Sequence, residues 1–370
     1  MMVGREPTMG LRSGIPSDPC PQGALRGDAR MRRALTVAAM VGLVVSSGAA
    51  AYGSPLGATP ATIAGATFQA SAPGANAPKG VSPEVFYDAT TKTYYLWTTS
   101  MPAAEYRSSD GVSWTPVADA QIPQGIDWSV VQESPSSFRM YYAEIAPTTP
   151  GSGPTAPCTP GTKRLRYATS SDLVHWTSQP GVLLDDVGCG VPHVMKTADG
   201  RYFLYFNMGS NLPGKEPGVH IGTSSDGLSW ALRDGIVAND PGLVDPAPIE
   251  MPDGTFLMVG STLGGPGNYQ YLQILSSPDA VTWTKRTKPL YAPAASAFDP
   301  SVELVDGRIR VWFGYSPSGN FDDAKITDGV VTLGTASAVA KAGQKCSKKG
   351  AVSGKLVCQK GKGGLVWVRK

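Results

Sequence analysis

Two aspartates stand immediately before prolines at the head of apolar runs: Asp245 in DPAPIEMPDGTFLMVGS and Asp299 in DPSVELVDGRIRVWFGY. Two glutamates occupy similar ground, Glu84 in SPEVFYDATTKTYYLWTTS and Glu133 just ahead of SPSSFRMYYAE. Carboxyl groups gathered on one surface can divide acid–base work, one taking a proton from water while another gives one to a leaving group. His193, in VPHVMKTADGRYFLYFNM, can orient such a group or ligate an ion. A structural reading stays open for each, because an Asp ahead of Pro also caps turns and a buried His or Glu can serve packing alone.

The elements that must carry these residues repeat. Five x-Pro starts, at Ser82, Ser134, Val191, Asp245 and Asp299, each lead through an apolar run and a turn into a second run rich in Tyr, Phe, Leu, Val and Trp. Asp-Gly turns precede the later copies, a hairpin signal. A second motif, Ser-x-Asp-x-x-x-Trp, ends at Trp114, Trp176, Trp230 and Trp283, so successive copies are 62, 54 and 53 residues apart. That period marks repeat architectures, and four antiparallel strands in about 50 residues make a propeller blade. The expected fold is all-β, a five-bladed β-propeller of four-stranded antiparallel blades. Blade 5 has no Ser-x-Asp turn, so Ala61 to Ala70 is expected to supply its outer strand and remove an exposed edge. Asp110, Asp172, Asp226 and Asp279 read as Asx-turn acceptors, with each Trp filling space between blades.

In such a meander the short turns share one end, and the long connections share the end where the first strands begin. Function favours loops of that kind. Trp128 and Tyr269 lie in these connections and are candidate substrate-binding aromatics. Cys158 and Cys189 fall in two of them, which predicts a disulfide pinning the loop. Neither belongs to a Cys-x-x-Cys pair, so metal ligation is disfavoured.

Arg30, Arg32 and Arg33 precede the apolar run Ala34 to Val45 and small residues at Ala49 to Ala51, the pattern of a secretory signal. Residues 1–51 therefore read as N-terminal extension and signal, 52–79 as linker with the closing strand, 80–335 as propeller and 341–370 as a C-terminal module. The first segment carries six Arg and three acids and the last nine bases and no acid, leaving 17 bases against 26 acids in between. An acidic body argues against nucleic acid as its ligand. The basic module suits an anionic cell-envelope polymer or a solvated tail, and Cys346 with Cys358 would close a small disulfide loop.

The x-Pro starts, the DG-x-[YF]-x-[LM] second strands and the Ser-Asp-Trp turns together resemble the five-bladed propellers of glycoside hydrolase family 43 and relatives such as the levansucrase and invertase families, over about residues 80 to 335. The resemblance implies a base Asp before the Pro of blade 1, a second Asp at a later strand start and an acid Glu, arranged across a glycosidic bond. Here Ser82 stands where the base is expected, Val191 at the blade 3 step and Asp245 at the blade 4 step. Sialidases carry similar Asp turns, but on six blades and with an arginine cluster that does not recur here.

Two functions stay open at this point. One is a secreted or cell-surface glycosidase, a monomer acting on a plant or envelope polysaccharide or oligosaccharide through Asp245 and Asp299, with Glu133 or Glu84 as the acid. The other is a non-catalytic glycan-binding propeller that has lost its base at Ser82. No phosphate loop, zinc motif or nucleophile elbow is present, and no cofactor is expected, although a structural Ca2+ or Na+ on the propeller axis is compatible with the fold. Peptide mapping of the mature, oxidised protein should recover Cys158 joined to Cys189 and Cys346 joined to Cys358; free thiols at the first pair would remove its shared-rim placement.

Overall fold

A computed structural model describes residues 61–100, 102–145, 163–188, 190–208 and 216–335 and, in the tail, 345, 349–350, 352–353, 356–361 and 364–369. The signal segment and Cys158, Cys189 and Cys346 lie outside the described residues. Strand β1 (Ala61–Ala70) comes first in the chain. Blade 1 is β2 (Val81–Asp88), β3 (Thr93–Thr99), β4 (Ala104–Ser108) and β5 (Thr115–Pro116). Blade 2 is β6 (Ile126–Ser134), β7 (Ser137–Ile145), β8 (Lys163–Ser170) and β9 (Thr177–Ser178). Blade 3 is β10 (His193–Lys196), β11 (Tyr202–Met208), β12 (Gly218–Ser224) and β13 (Ala231–Leu232). Blade 4 is β14 (Leu243–Glu250), β15 (Phe256–Thr262), β16 (Tyr271–Ser277) and β17 (Thr284–Lys285). Blade 5 is β18 (Ser296–Val305), β19 (Arg308–Ser316), β20 (Lys325–Thr335) and, at its outer edge, β1.

The five-bladed propeller is therefore observed, closed by the N-terminal strand. β1 runs antiparallel to β20 with Phe68 opposite Val331 and Ala70 opposite Gly329. Gly329 is required there, since a Cβ would come within 2.3 Å of the Phe68 ring. That ring packs edge-on against Tyr291 at 5.3 Å and tilted against Phe313 at 6.0 Å.

The repeated Ser-x-Asp turn proves to be a joint between blades. Within each turn the Asp accepts backbone N–H bonds; Asp110 Oδ1, for instance, accepts those of Val112 and Ser113, both at 2.7 Å. A carbonyl that the turn leaves pointing outward is taken by an aromatic side chain on the second strand of the preceding blade. Trp312 Nε1 donates to Gly111 O at 2.7 Å, Tyr141 Oη to Gly227 O at 2.9 Å and Tyr205 Oη to Ala280 O at 2.6 Å. In blade 1 the equivalent Trp97 instead packs edge-on against Trp176 of the blade 2 turn, 5.9 Å away. Blade 4 has Val259 at this position, opposite Ala247 as Trp312 is opposite Ser301. The exception is consistent, because blade 5 takes its outer strand from the other end of the chain and has no such turn to dock.

One expected start is corrected. Ser134-Pro135 is the turn that joins β6 to β7, with Ser134 paired to Ser137, and not the head of an inner strand. The inner strand of blade 2 begins at Ile126. The tail carries a three-stranded sheet of β21 (Val352–Ser353), β22 (Leu356–Gly361) and β23 (Gly364–Arg369), in which buried Cys358 faces Trp367.

A chain beginning at Ser71 would expose the edge of β20 and the rings that Phe68 covers. It should associate on size-exclusion chromatography and melt well below the full-length protein; a monomer of unchanged melting temperature would contradict closure by β1.

Candidate active site at the heads of the inner strands

Four residues other than glycine adopt left-handed backbone at equivalent places: Ser82 (φ 49°), Asp127 (φ 55°), Asp245 (φ 49°) and Asp299 (φ 47°). Each lies where the ladder between first and second strand slips, with two residues of the inner strand facing one of its partner. The following residue is Pro83, Trp128, Pro246 or Pro300. Proline suits a bulge because it has no N–H to leave unpaired. A bulge re-aims the side chain it carries, and strained non-glycine residues of this kind concentrate at functional sites.

The bulges are held from the neighbouring blade. Thr99 Oγ1 accepts the Asp127 N–H at 3.0 Å, Asn207 Oδ1 that of Asp245 at 2.8 Å and Ser261 Oγ that of Asp299 at 2.8 Å. The Ser82 N–H goes to Asp299 itself, whose Oδ2 accepts it at 3.1 Å and the Ser82 hydroxyl at 2.9 Å.

Three carboxyl groups and one ammonium result. Lys163, at the head of β8, lies 2.5 Å from Asp127 Oδ2 and donates to Gly190 O at 2.8 Å, with both side chains of the ion pair buried. Burial pulls its pKa down, but Asp127, and at longer range Asp245 and Asp299, hold it above the ordinary lysine value. The Asp245 and Asp299 carboxyls lie close enough to shift each other's pKa. Burial is the main cause raising Asp299 well above the carboxylate range, followed by the Asp245 charge. Asp245 is also raised by burial, against the stabilising bonds from Asp299 and the Val191 N–H, the latter 2.9 Å from Oδ1. Gly190 packs so close that a Cβ would meet Asp245 Oδ1 at 2.7 Å.

The expected residues divide. Asp245 and Asp299 meet at the mouth, but as immediate neighbours and not on opposite sides of a gap. Asp127 joins them and was missed, because Trp128 replaces the proline that marks the other bulges; its place ahead of the Ser-Val-Val run of β6 was the available signal. Glu84 lies one step further in, where its Oε1 accepts the Val130 N–H at 2.6 Å. Its Oε2 is 3.9 Å from His193 Nδ1, and both line an axial cavity of about 240 Å³ with Ser301 and Glu303. Burial raises Glu84 well above its usual range, pushes Glu303 up to about 8 and pulls His193 down to about 4, so the imidazole is neutral. Glu133 is at the far end of β6, held by Lys196 Nζ at 2.7 Å, Tyr202 Oη at 2.5 Å and Arg139 Nε at 3.1 Å. Trp128 is 1% exposed in the core between blades 1 and 2, while half-buried Tyr269 packs over Gly319 in the connection from β15 to β16. Among the described residues no group of three or more His, Cys, Asp or Glu is placed to hold a metal ion.

No protein-family model and no curated protein matches the chain. Solved structures do. One described only as a glycoside hydrolase is 17% identical, covering 76% of this chain and 94% of its own, with a TM-score of 0.51. The chain shares the fold of this structure. An N-acetylgalactosamine deacetylase from F. plautii, in complex with blood group B trisaccharide, is 16% identical over 75% of this chain and 94% of its own at a TM-score of 0.50. An endo-1,4-beta-xylanase from Bacteroides thetaiotaomicron is 16% identical over 70% and 95%, also at 0.50.

Glu303 gives the interior a measurable signature. The folded protein holds this proton up to about pH 8, whereas the unfolded chain releases it near the model carboxylate value of 4.5. Stability from this group is thus full below the lower value and lost as pH rises toward the upper. Glu303→Gln should shrink the fall in melting temperature between mildly acidic and mildly alkaline buffer; an undiminished fall would remove Glu303 as its source.

Proposed function

We propose that this protein is a secreted glycosidase-like hydrolase that cleaves O-glycosidic bonds of a plant or envelope polysaccharide, with Asp127, Asp245 and Asp299 as its working groups. The observation that carries the reading is the gathering at one mouth of three carboxyls built on equivalent bulges. Burial raises both Asp245 and Asp299 above the usual carboxylate range, and Asp127 lies in a buried ion pair with Lys163. Groups whose environments drive their protonation apart are how one site supplies both an acid and a base. In this reading Asp299 gives its proton to the leaving oxygen, Asp245 holds the Asp299 carboxyl in place for that transfer, and Asp127 takes a proton from the attacking water. The similar folds support the substrate class, since a glycoside hydrolase, a xylanase and a deacetylase bound to a trisaccharide all handle glycans.

A specific observation favours a second reading. Ser82 stands at the blade 1 bulge where the family resemblance implies the base, and its hydroxyl is already engaged with Asp299. A propeller so altered would bind glycan without cleaving it.

Activity on arabinan, xylan and aryl glycosides separates the two. If the protein is an enzyme, Asp299→Asn and Asp127→Asn should each lower kcat by about 10²-fold or more with little change in melting temperature for Asp299→Asn. The rate should fall on the alkaline side as the Asp299 proton is lost. Variants as active as the parent would overturn the assignment, and a parent that binds these glycans but hydrolyses none would favour the second reading.

A further inference from the structure

The bases of the propeller are outnumbered by acids of the same body, whereas those of the tail have no acid in their own segment. In the propeller seven bases, Arg139, Lys163, Arg166, Lys196, Arg201, Lys285 and Arg310, lie within ion-pair distance of an acid, and others among the described residues do not. The segment Lys341 to Lys370 carries nine bases and no acid. Its four described bases, Lys345, Lys349, Lys360 and Arg369, are exposed, and among the described residues none pairs with a carboxylate of the propeller. Among its described residues β22 and β23 are nonetheless paired along their length, and Cys358 is fully buried. Concentrated like charge opposes folding unless something of opposite sign accompanies it, and the acidic body of the same chain is not what these four side chains touch.

The same small sheet carries half-buried apolar side chains on both faces of β23, Leu365 and Trp367 on one and Val366 and Val368 on the other. An indole ring in that state can lie against the apolar face of a sugar ring while its N–H bonds to a hydroxyl. A bare phosphate chain would use the charges and leave the indole idle.

We infer that the C-terminal sheet is a docking module for an acidic polysaccharide, a polymer with carboxylates for the lysines and sugar rings for Trp367. It would hold the propeller at a glycan surface by contacts separate from the carboxyl mouth. The inference goes beyond the proposed catalysis and does not depend on it, since a catalytically dead Asp299→Asn protein would dock equally well.

The test is titration of the full chain with polygalacturonate by calorimetry, at low and high salt. Binding should weaken steeply with salt, as expected for exposed charges. The quadruple variant Lys345→Gln, Lys349→Gln, Lys360→Gln and Arg369→Gln should bind about tenfold or more weakly, and its Lys→Arg counterpart at the first three positions should bind as the parent does. Trp367→Ala should weaken polygalacturonate binding severalfold and leave inorganic polyphosphate binding unchanged. The propeller's melting transition checks that each variant folds, and the salt dependence of the parent provides a readout that needs no variant. No binding at low salt, or full affinity in the quadruple variant, would overturn the proposal. Tighter binding of polyphosphate or duplex DNA, with no effect of Trp367→Ala, would overturn the choice of a polysaccharide.

Discussion

The site depends on one backbone constraint, a left-handed residue inserted at the head of four inner strands. Sterics make that conformation costly for any side chain beyond Cβ, by about 1 kcal/mol or more. The protein maintains it at Ser82, Asp127, Asp245 and Asp299 by bonding the N–H of each to an oxygen of the neighbouring blade. The strain and its restraint thus come from different blades. Assembly of the propeller is what makes the bulges tenable, and the bulges turn the acids toward one another at the mouth.

Once gathered, these acids could not all remain charged. Like charges brought close in a poorly hydrated site raise each other's pKa. Lys163 offsets a second charge at Asp127, and the remaining pair resolves its repulsion by staying partly protonated. The interior below repeats this on a smaller scale. Glu84 accepts an N–H from blade 2 and Ser129 Oγ one from Val194 of blade 3 at 2.9 Å, while Ser301 Oγ accepts the Val85 N–H at 3.0 Å. Polar groups near the axis therefore join blades where the apolar layers between sheets thin out.

The sequence showed the architecture well because the repeating unit is itself a physical joint. The Ser-x-Asp turn and its Trp recur wherever one blade docks on the last, so blade number and the closing strand could be read from where the motif stops. The site was only partly legible. Proline advertises a bulge because it lacks an N–H, so Asp245 and Asp299 were found; Trp128 fills the same place by packing, so Asp127 was passed over and Ser134-Pro135, an ordinary hairpin turn, was taken in its stead. Glu133 looked like a rim acid for that reason, although Lys196, Arg139 and Tyr202 hold it at the other end of the strand. Lys163 gave no signal of its own, because a lone lysine at a strand head acquires meaning only from what lies across the axis.

Closure by β1 also sets an order of events in time. Ala61 to Ala70 leave the ribosome long before Lys325 to Thr335, yet they are neighbours in one sheet. Until the last blade exists the first strand has nothing to pair with, and the loop to be closed spans nearly the whole propeller. Contacts so distant along the chain form slowly, since the entropy of bringing them together is lost before any bonding is gained. The ring is therefore the last thing to form, and the growing chain stays open at its seam until its last blade has been made.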